Sequence, residues 1–235
     1  MESIDKVQGI IEKKEELLRY TDVSPAVIRR LPRYHRYLGD LIRAGKMRIS
    51  SKELASMMGV TASQIRQDLN CFGGFGQQGY GYNVKYLHGK IGELLGTNEG
   101  YHAVIIGAGN LGRALAATHM FARRGVTRSA MFDTNAALVG TEIYGIPVYH
   151  VDSLASFCRE NKIDIAVLTV PKEAAKSVTD VLIGAGIKGI WNFANMELTV
   201  EDENVVVENI HLGDSLMALC YEVKNRNSEH PEADS

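Results

Sequence analysis

An apolar segment that runs directly into a glycine-rich turn constrains the fold of this chain more than any other feature. Residues 103–106 are apolar without alternation, which is typical of a strand buried on both faces of a parallel sheet. Good helix formers follow the turn, beginning at residue 113. Strand, glycine turn and helix in this order are the context that the phosphate-binding start of a dinucleotide-binding domain requires. The turn itself consists of Gly107, Ala108, Gly109, Asn110, Leu111 and Gly112.

Each glycine has its own role in such a turn, and an acidic residue supports the interpretation. The first glycine allows the tight turn, the second lets the backbone approach a pyrophosphate, and the third lets the helix pack on the strand. The next predicted strand ends in Asp133, about twenty residues on, where a carboxylate accepts hydrogen bonds from the ribose of NAD. No arginine follows Asp133 closely, so NAD(H) is favoured over NADP(H). The alternative is a glycine-rich turn in an unrelated α/β domain, with Asp133 merely starting a loop.

Charge is distributed unevenly along the chain. Residues 23–90 hold eleven Lys/Arg against three Asp/Glu, whereas the segment after them is net acidic. A small basic unit beside an acidic one indicates that the basic part meets a polyanion. Cys71, Cys158 and Cys220 are widely spaced, which predicts free thiols, with Cys158 and Cys220 buried, and no metal site. With no signal peptide and no long apolar span, we expect a cytoplasmic protein.

Within the basic segment, two short helices with start signals are joined by a glycine turn. Ser50 and Glu53 form one capping-box pattern, and Thr61 and Gln64 form a second one just after Gly59. This arrangement predicts a helix-turn-helix. Ahead of it, the sequence predicts a helix ending at residue 30 and a second one starting at residue 32, because both segments open with proline. An αα-hairpin of ordinary surface helices is the alternative, which the basic charge disfavours.

A glycine-rich and aromatic segment, residues 72–84, comes next and is typical of a β-hairpin wing. The outward face of the second short helix carries residue types that reach base edges: arginine for guanine, glutamine for adenine, serine for either. We therefore predict a winged helix-turn-helix that binds DNA. Its expected DNA-facing residues are Arg48, Ser51, Lys52, Thr61, Ser63, Gln64, Arg66, Gln67, Tyr80 and Tyr82.

Strand and helix patterns alternate through the second half of the chain. Strands are expected near 102–106, 127–132, 164–170, 187–192 and 205–208, and helices near 110–124, 152–161 and 173–185, with residues 146–149 as an edge segment because of Pro147. This alternation predicts an α/β fold with a parallel, doubly wound sheet. Ligands in such sheets lie beyond the carboxyl ends of the strands. The residues expected to line the nicotinamide side are Thr169, Val170, Pro171, Asn192 and Phe193.

These patterns divide the chain into five segments. Residues 1–22 are a charged extension, 23–95 the winged helix domain, 100–208 the Rossmann domain, 209–227 a C-terminal helix, and 228–235 a polar tail expected to be disordered. The amphipathic stretch at 211–223 either docks on a second subunit or packs on its own sheet.

Seven motifs in the chain form a recognisable set. They begin at Arg30 (RLPRY), Ile49 (ISSKEL), Gln64 (QIRQDL), Gly79 (GYGYNV), Gly107 (GAGNLG), Leu168 (LTVP) and Gly186 (GIKGIWNF). Over about residues 24–223 the chain with these motifs resembles the Rex family of redox-sensing transcriptional repressors. The resemblance implies a homodimer with a C-terminal helix swapped between subunits, bound to a palindromic operator when NADH is low and released when NADH fills the Rossmann clefts. It also implies coupling between the two domains through Arg36 and the position of His211.

The chain departs from the family pattern at several positions. Gln67 and the pair Gln77-Gln78 stand where basic residues are common, which predicts weaker DNA binding with a shallower salt dependence. Cys71 replaces a frequent tyrosine. His211-Leu212 stands where some members have Asp-Phe, which predicts an altered or weaker response to NADH.

A NAD-dependent oxidoreductase is the competing hypothesis. Such an enzyme needs a proton donor near the nicotinamide, and the chain has no Tyr-x-x-x-Lys pair after its third or fourth strand and only scattered histidines. Lys172 is the one polar candidate near the expected cleft. The pattern favours a sensor without catalytic residues.

Overall fold

The computed structural model describes residues 23–72, 76–77 and 80–229. The predictions for residues 1–22 and for 230–235 lie outside this part of the chain. Backbone contacts divide the chain into two compact units, with the boundary between Asn98 and Glu99. Among the described residues, no helix is long and apolar enough to cross a membrane.

The first unit is a helical domain with a small antiparallel sheet. Its elements are α1 (Pro25–Arg43), β1 (Arg48–Ile49), α2 (Ser51–Met58), α3 (Ala62–Asn70), β2 (Gly76–Gln77), β3 (Gly81–Asn83) and α4 (Val84–Leu94). The strand order is β1-β3-β2. The core of the unit is formed by buried apolar residues of every helix, such as Leu38, Leu54, Ile65 and Leu87.

The winged helix-turn-helix prediction is confirmed by this arrangement. Helices α2 and α3 are joined by Gly59, whose left-handed φ of 65° reverses the chain. Strands β2 and β3 form the wing hairpin, and β3 also pairs with β1. At Gly81, with φ +69°, an added Cβ would lie 2.6 Å from the carbonyl oxygen of Ile49, so only glycine allows this close pairing.

Helix α1 corrects one prediction, because it runs without a break where two helices were expected. Pro32 lies inside it and leaves one backbone carbonyl without its helical donor. Leu31, Tyr34 and Leu38 on the same helix are each at most 1% exposed. Burial of this continuous apolar face outweighs the local cost of the proline.

The second unit is built around a seven-stranded sheet. Its elements are β4 (Tyr101–Ile106), α5 (Asn110–Ala117), β5 (Val126–Asp133), β6 (Glu142–Ile143), β7 (Ile146–His150), α6 (Leu154–Glu160), β8 (Ile165–Leu168), α7 (Lys172–Gly184), β9 (Gly189–Asn192), β10 (Val206–Asn209) and α8 (Leu212–Glu229). The strand order is β10-β9-β8-β4-β5-β7-β6, parallel except for β6. This is the doubly wound Rossmann order, in which the connections reverse direction between β4 and β8.

Two elements of this unit differ from their predictions. Helix α5 ends at Ala117 rather than near 124, because the Thr118 hydroxyl bonds to the Leu115 carbonyl and Arg128 donates to the Ala116 carbonyl. Strand β7 is not an edge segment, since it pairs with both β5 and β6. Its pairing with β5 begins at Val148, so the missing backbone N–H of Pro147 leaves no gap in the hydrogen bonds between these two strands.

Helix α8 does not pack on its own sheet, which excludes one of the two alternatives left open for it. Its apolar side chains are 51–65% exposed, and they are Leu212, Leu216, Met217, Leu219, Tyr221 and Val223. Cys220, expected to be buried, is exposed on the same helix. The helix also continues to Glu229, beyond the expected start of the tail at 228, and no proline interrupts it before Pro231.

Candidate nucleotide site and candidate DNA-facing surface

The glycine turn after β4 is held against the end of β8. Gly107 has φ +98°, and an added Cβ there would lie 2.6 Å from the carbonyl oxygen of Thr169. At Gly112 an added Cβ would lie 2.0 Å from the carbonyl oxygen of Gly107. The Thr169 hydroxyl is 2.9 Å from the carbonyl oxygen of Ile106 and 2.8 Å from that of Gly107. The first and third glycines are therefore required by packing within the protein.

The middle glycine is different, because nothing lies within 4 Å of the position where its Cβ would be. Gly109 has an ordinary φ of −75° and stands at the N-terminus of α5 without a side-chain cap. The first backbone N–H groups of a helix lack intrahelical partners and favour anions. The space beside Gly109 thus fits a phosphate group in position and in charge.

Asp133 faces the same turn from the end of β5. Its Oδ2 accepts the Ala108 N–H at 2.6 Å, and its Oδ1 accepts the Asn135 N–H at 2.8 Å. These bonds fix the carboxylate and leave each oxygen a further lone pair, which could accept a ribose hydroxyl. This is the geometry expected of a residue that holds the adenosine ribose of NAD.

Arg113 is a candidate that sequence reasoning missed. Its Nε donates to the carbonyl oxygen of Ala108 at 2.9 Å, which docks the guanidinium against the glycine turn. Its position one residue after Gly112, on the first turn of α5, was the available signal. A planar cation at this place suits a diphosphate.

The strand-end residues divide into two groups. Thr169 is half-buried and contacts the glycine turn through its hydroxyl. Val170, half-buried, and Pro171, exposed, follow it and lead into α7. Phe193 packs edge-on against Trp191 at 4.6 Å between ring centroids and is half-buried.

Asn192 was expected to line the nicotinamide side, but its side chain is buried within the protein. It is 0% exposed; its Nδ2 donates to the Met196 carbonyl and to Asn209 Oδ1, and its Oδ1 accepts the Ala194 N–H. Its amide braces the loop after β9 and is not available to a ligand.

In the first unit, both bonds of a capping box are present at the start of α2, but only one of the two is present at the start of α3. The Ser50 hydroxyl accepts the Glu53 N–H, and Glu53 accepts the Ser50 N–H at 2.8 Å. Bonds from Lys46 and then from Ser50 lower the pKa of Glu53 to about 2. The Thr61 hydroxyl accepts the Gln64 N–H, but the Gln64 side chain does not return the bond, since it is held elsewhere.

The exposed face of α3 and the ends of the wing carry the predicted DNA-facing residues. Arg66 donates to the Ser51 hydroxyl at 3.2 Å, which ties α3 to the start of α2. Arg48 donates to the Tyr80 carbonyl at 3.3 Å and lies over the Tyr80 ring. The remaining exposed members of the set are Lys52, Thr61, Ser63 and Gln67.

Tyr82 was expected to face DNA from the wing, but its side chain is buried. Its residue exposure is 8%, and it belongs to the core of the first unit. Burial raises the pKa of its phenol, which the nearby charge of Arg66 partly opposes. Tyr80, just before β3, is 70% exposed. Residues two apart share one face of a regular strand, but the left-handed φ of Gly81 between the two tyrosines breaks this alternation, so their rings have different surroundings.

A buried ionic cluster joins α1 to α3, and sequence reasoning did not find it. Arg30 makes a two-pronged ion pair with Asp68, both bonds at 2.7 Å, and the Tyr34 hydroxyl and Gln64 Nε2 each donate to Asp68 at 2.7 Å. Asp68 is 1% exposed. Burial opposes its charge, but the bonds from Arg30, Tyr34 and Gln64 outweigh that cost and lower its pKa. The spacing of Gln64 and Asp68, four residues apart on one helix, was the only local signal.

The two residues expected to couple the domains each have a partner within their own unit. Arg36 is exposed on α1, with its guanidinium over the Tyr37 ring at 5.6 Å. His211 Nε2 lies 2.8 Å from Glu197 Oε2.

Among the described residues, no cluster of three or more His, Cys, Asp or Glu could hold a metal ion. Cys158 is buried as predicted, and burial raises the pKa of its thiol to about 11.

This chain joins a winged helix-turn-helix to a Rossmann fold. The combination defines a class of protein in which a DNA-binding module and a nucleotide-binding domain share one chain. Comparisons with known proteins agree with both halves. Residues 22–70 match the family described as putative DNA-binding protein N-terminus, and residues 98–196 match the CoA binding domain family.

Whole-chain relatives identify the family. A redox-sensing transcriptional repressor Rex of Clostridium botulinum strain Hall is 54% identical over 198 residues, covering 84% of this chain and 94% of that protein. The Rex of strain Alaska E43 is 52% identical over 202 residues, covering 86% of this chain and 96% of that protein. This chain therefore belongs to the Rex family, whose matched members are named as repressors rather than enzymes.

Solved structures give the same answer. The crystal structure of RSP in complex with β-NAD⁺ and operator DNA matches with a TM-score of 0.82 and 49% identity, covering 91% of this chain and all of that one. The structure of RSP in complex with β-NADH matches with a TM-score of 0.81 and 48% identity, covering 89% of this chain and 97% of that one.

Proposed function

We propose that this protein is a redox-sensing transcriptional repressor that binds operator DNA as a homodimer and releases it when NADH occupies the Rossmann domain. The observation that carries the proposal is the relative solved with both β-NAD⁺ and operator DNA, which is 49% identical and matched over 91% of this chain. The protein would act in the cytoplasm, where DNA and the nicotinamide pool meet.

The nucleotide end of the proposal is supported by the glycine turn. The open space at Gly109, the helix N-terminus behind it and the carboxylate of Asp133 supply a diphosphate site and a ribose site on one edge of the sheet. The protein's own residues bind and orient the nucleotide. Nothing in the proposal requires them to transfer a proton or hydride.

The DNA end is supported by the exposed polar face of α3 and by Arg48 and Tyr80 at the wing. Phosphate contacts position such a module, and side chains on the second helix read base edges. The Arg66–Ser51 bond pre-orders one reading side chain before DNA arrives.

The homodimer is supported by α8. A helix of 18 residues with six apolar side chains at least half exposed is stable when those side chains are covered by another surface. A second copy of the chain, exchanging this helix, supplies that surface. Coupling then follows from population shift: NADH binds one dimer arrangement better, and DNA binds the other. Arg36 and His211 are the proposed coupling residues.

The test is a gel shift at fixed salt with the purified full chain and a duplex that it selects from a random pool. We expect NADH to release the duplex, NAD⁺ to oppose NADH, and NADPH and coenzyme A to act weakly or not at all. Equal binding at every NADH/NAD⁺ ratio would overturn the proposal. Sustained NADH oxidation with a panel of ketones and aldehydes would favour the oxidoreductase alternative, with Lys172 as its first residue to test.

A further inference from the structure

The buried cluster around Asp68 fixes the orientation of one side chain on α3, the proposed recognition helix. Asp68 is 1% exposed and Tyr34 is 0% exposed, while Gln64, on the same helix, is only half-buried. The Asp68 carboxylate therefore connects the interior of the first unit to a residue at its DNA-facing surface.

A carboxylate dictates the orientation of the amide that contacts it. An ionised Asp68 can only accept hydrogen bonds, so the NH₂ group of Gln64 and not its oxygen must face it, as the 2.7 Å bond from Nε2 to Oδ1 shows. This bond uses one of the two amide N–H groups. The Gln64 oxygen and its second N–H, an acceptor beside a donor, are left for another partner.

Arg30 and Tyr34 keep this arrangement rigid. The two bonds from Arg30 and the bond from Tyr34 hold both oxygens of Asp68 in place. A glutamine on an exposed helix would otherwise sample several rotamers and both amide orientations, and fixing it on binding would cost conformational entropy.

We infer that Asp68, held by Arg30 and Tyr34, is a positioning residue that fixes the amide of Gln64 to read an adenine in the major groove. Adenine presents an amino donor and the N7 acceptor side by side, which matches the acceptor and donor that Gln64 retains. The inference rests on the proposed DNA-binding function and adds the base that one named residue reads and the reason for its orientation.

The experiment is selection of duplexes from a random pool by the full-length protein, followed by sequencing, for the native chain and three variants. We expect the native chain to prefer adenine at one position of each half-site by about tenfold over the other bases. Gln64→Leu, which removes the reading amide, is expected to lose this preference. Asp68→Asn, which can donate as well as accept and so lets the Gln64 amide turn over, is expected to reduce it to about threefold or less.

The control variant is Asn70→Leu, which removes an exposed amide at the end of the same helix, outside the cluster and outside the predicted DNA-facing set. It is expected to keep the preference for that adenine. A chemical test replaces the adenine by 7-deazaadenine, which lacks the N7 acceptor. This base should weaken binding by the native chain and have no effect on Gln64→Leu, a result that a merely structural role of the cluster would not produce.

The outcomes separate the two proposals. If the native chain selects no motif, the proposed function fails. If it selects a motif and either Gln64→Leu or Asp68→Asn keeps the full preference for that adenine, the function stands and the inference about Asp68 is overturned. Should Asp68→Asn fail to fold, Tyr34→Phe takes its place: it removes the bond to Asp68 Oδ2 and should lower the adenine preference, and an unchanged preference would overturn the inference.

Discussion

Three glycines of one turn differ in what a side chain would meet, and this difference separates a folding role from a binding role. Gly109→Val is expected to fold like the native chain, because its Cβ meets nothing within 4 Å and its φ is ordinary, and to bind NADH at least about tenfold more weakly, because the side chain fills the phosphate position. Isothermal titration calorimetry measures the NADH affinity.

Gly112→Ala is the matched control for that substitution. Its Cβ would lie 2.0 Å from the carbonyl oxygen of Gly107, so α5 must shift away from β4, and we expect a loss of stability of about 1–3 kcal/mol in denaturant unfolding. Native NADH affinity in Gly109→Val, or native stability in Gly112→Ala, would contradict the assignment of these roles.

A second prediction at the residue scale concerns Gln67, which is exposed on α3 among the predicted DNA-facing residues. Gln67→Lys adds one cation for a phosphate contact and should steepen the dependence of log K on log salt by about 0.9. Fluorescence anisotropy over a series of salt concentrations measures this slope. An unchanged slope would place residue 67 away from the phosphates.

At the scale of single elements, the capping box of α2 predicts a dependence of stability on pH. The pKa of Glu53 is lowered from its ordinary 4.5 to about 2, mainly by Lys46 and by Ser50. A depressed folded-state pKa means that the stabilisation is complete above pH 4.5 and is lost as the pH falls towards 2. The native chain should therefore lose stability relative to Glu53→Gln across this window.

The comparison with Glu53→Gln isolates this group from other carboxylates. Glutamine can still accept the Ser50 N–H but does not titrate, so the difference in unfolding free energy between the two proteins should shrink from pH 5 to pH 2. Asp68 also titrates in acid, but it does so in both proteins and cancels in the difference. A difference that stays constant with pH would show that the charge of Glu53 does not stabilise α2.

How well the elements could be predicted depended on whether their signals were local. Capping residues, the glycine turns and the apolar strands are local, and they located α2, α3, the wing and the parallel strands correctly. The continuity of α1 through Pro32 depends on burial of Leu31 and Leu38 against other helices, which no local pattern reports. The early end of α5 depends on Arg128, eleven residues beyond Ala117 along the chain but adjacent in space.

The candidate sites show the same division. The strand-end position of Asp133 was enough to place it at the edge of the sheet that carries the glycine turn, because parallel strands present their carboxyl ends at one edge. Its contact with a ribose stays a prediction. The burial of Asn192 and Tyr82 could not be predicted in this way, since each follows from neighbours on other elements. The Arg30–Asp68 pair joins residues 38 apart on two different helices, so no local pattern reports it.

At the scale of the whole molecule, α8 is the element whose apolar surface the chain itself does not cover among the described residues. Leu216 and Leu219 are 61% and 58% exposed, and with Leu212 and Val223 they follow alternating spacings of four and three residues along one stripe of the helix. This spacing is that of a helix that packs lengthwise against a partner surface. A charge placed in the stripe should therefore prevent dimerisation and leave the fold of each unit intact.

Leu216→Glu is the variant that tests this, with Glu222→Lys, on a polar position of the same helix, as control. Sedimentation velocity should show a dimer for the native chain and the control and a monomer for Leu216→Glu. In the proposed repressor two copies of α3 read the operator at once. Loss of the dimer removes the second contact and its effective concentration, so operator affinity should fall by about a hundredfold or more. NADH affinity that survives in the Leu216→Glu monomer would show that the Rossmann unit binds nucleotide by itself and that the dimer is needed only to transmit the signal. A Leu216→Glu protein that remains dimeric would place the subunit interface on another surface.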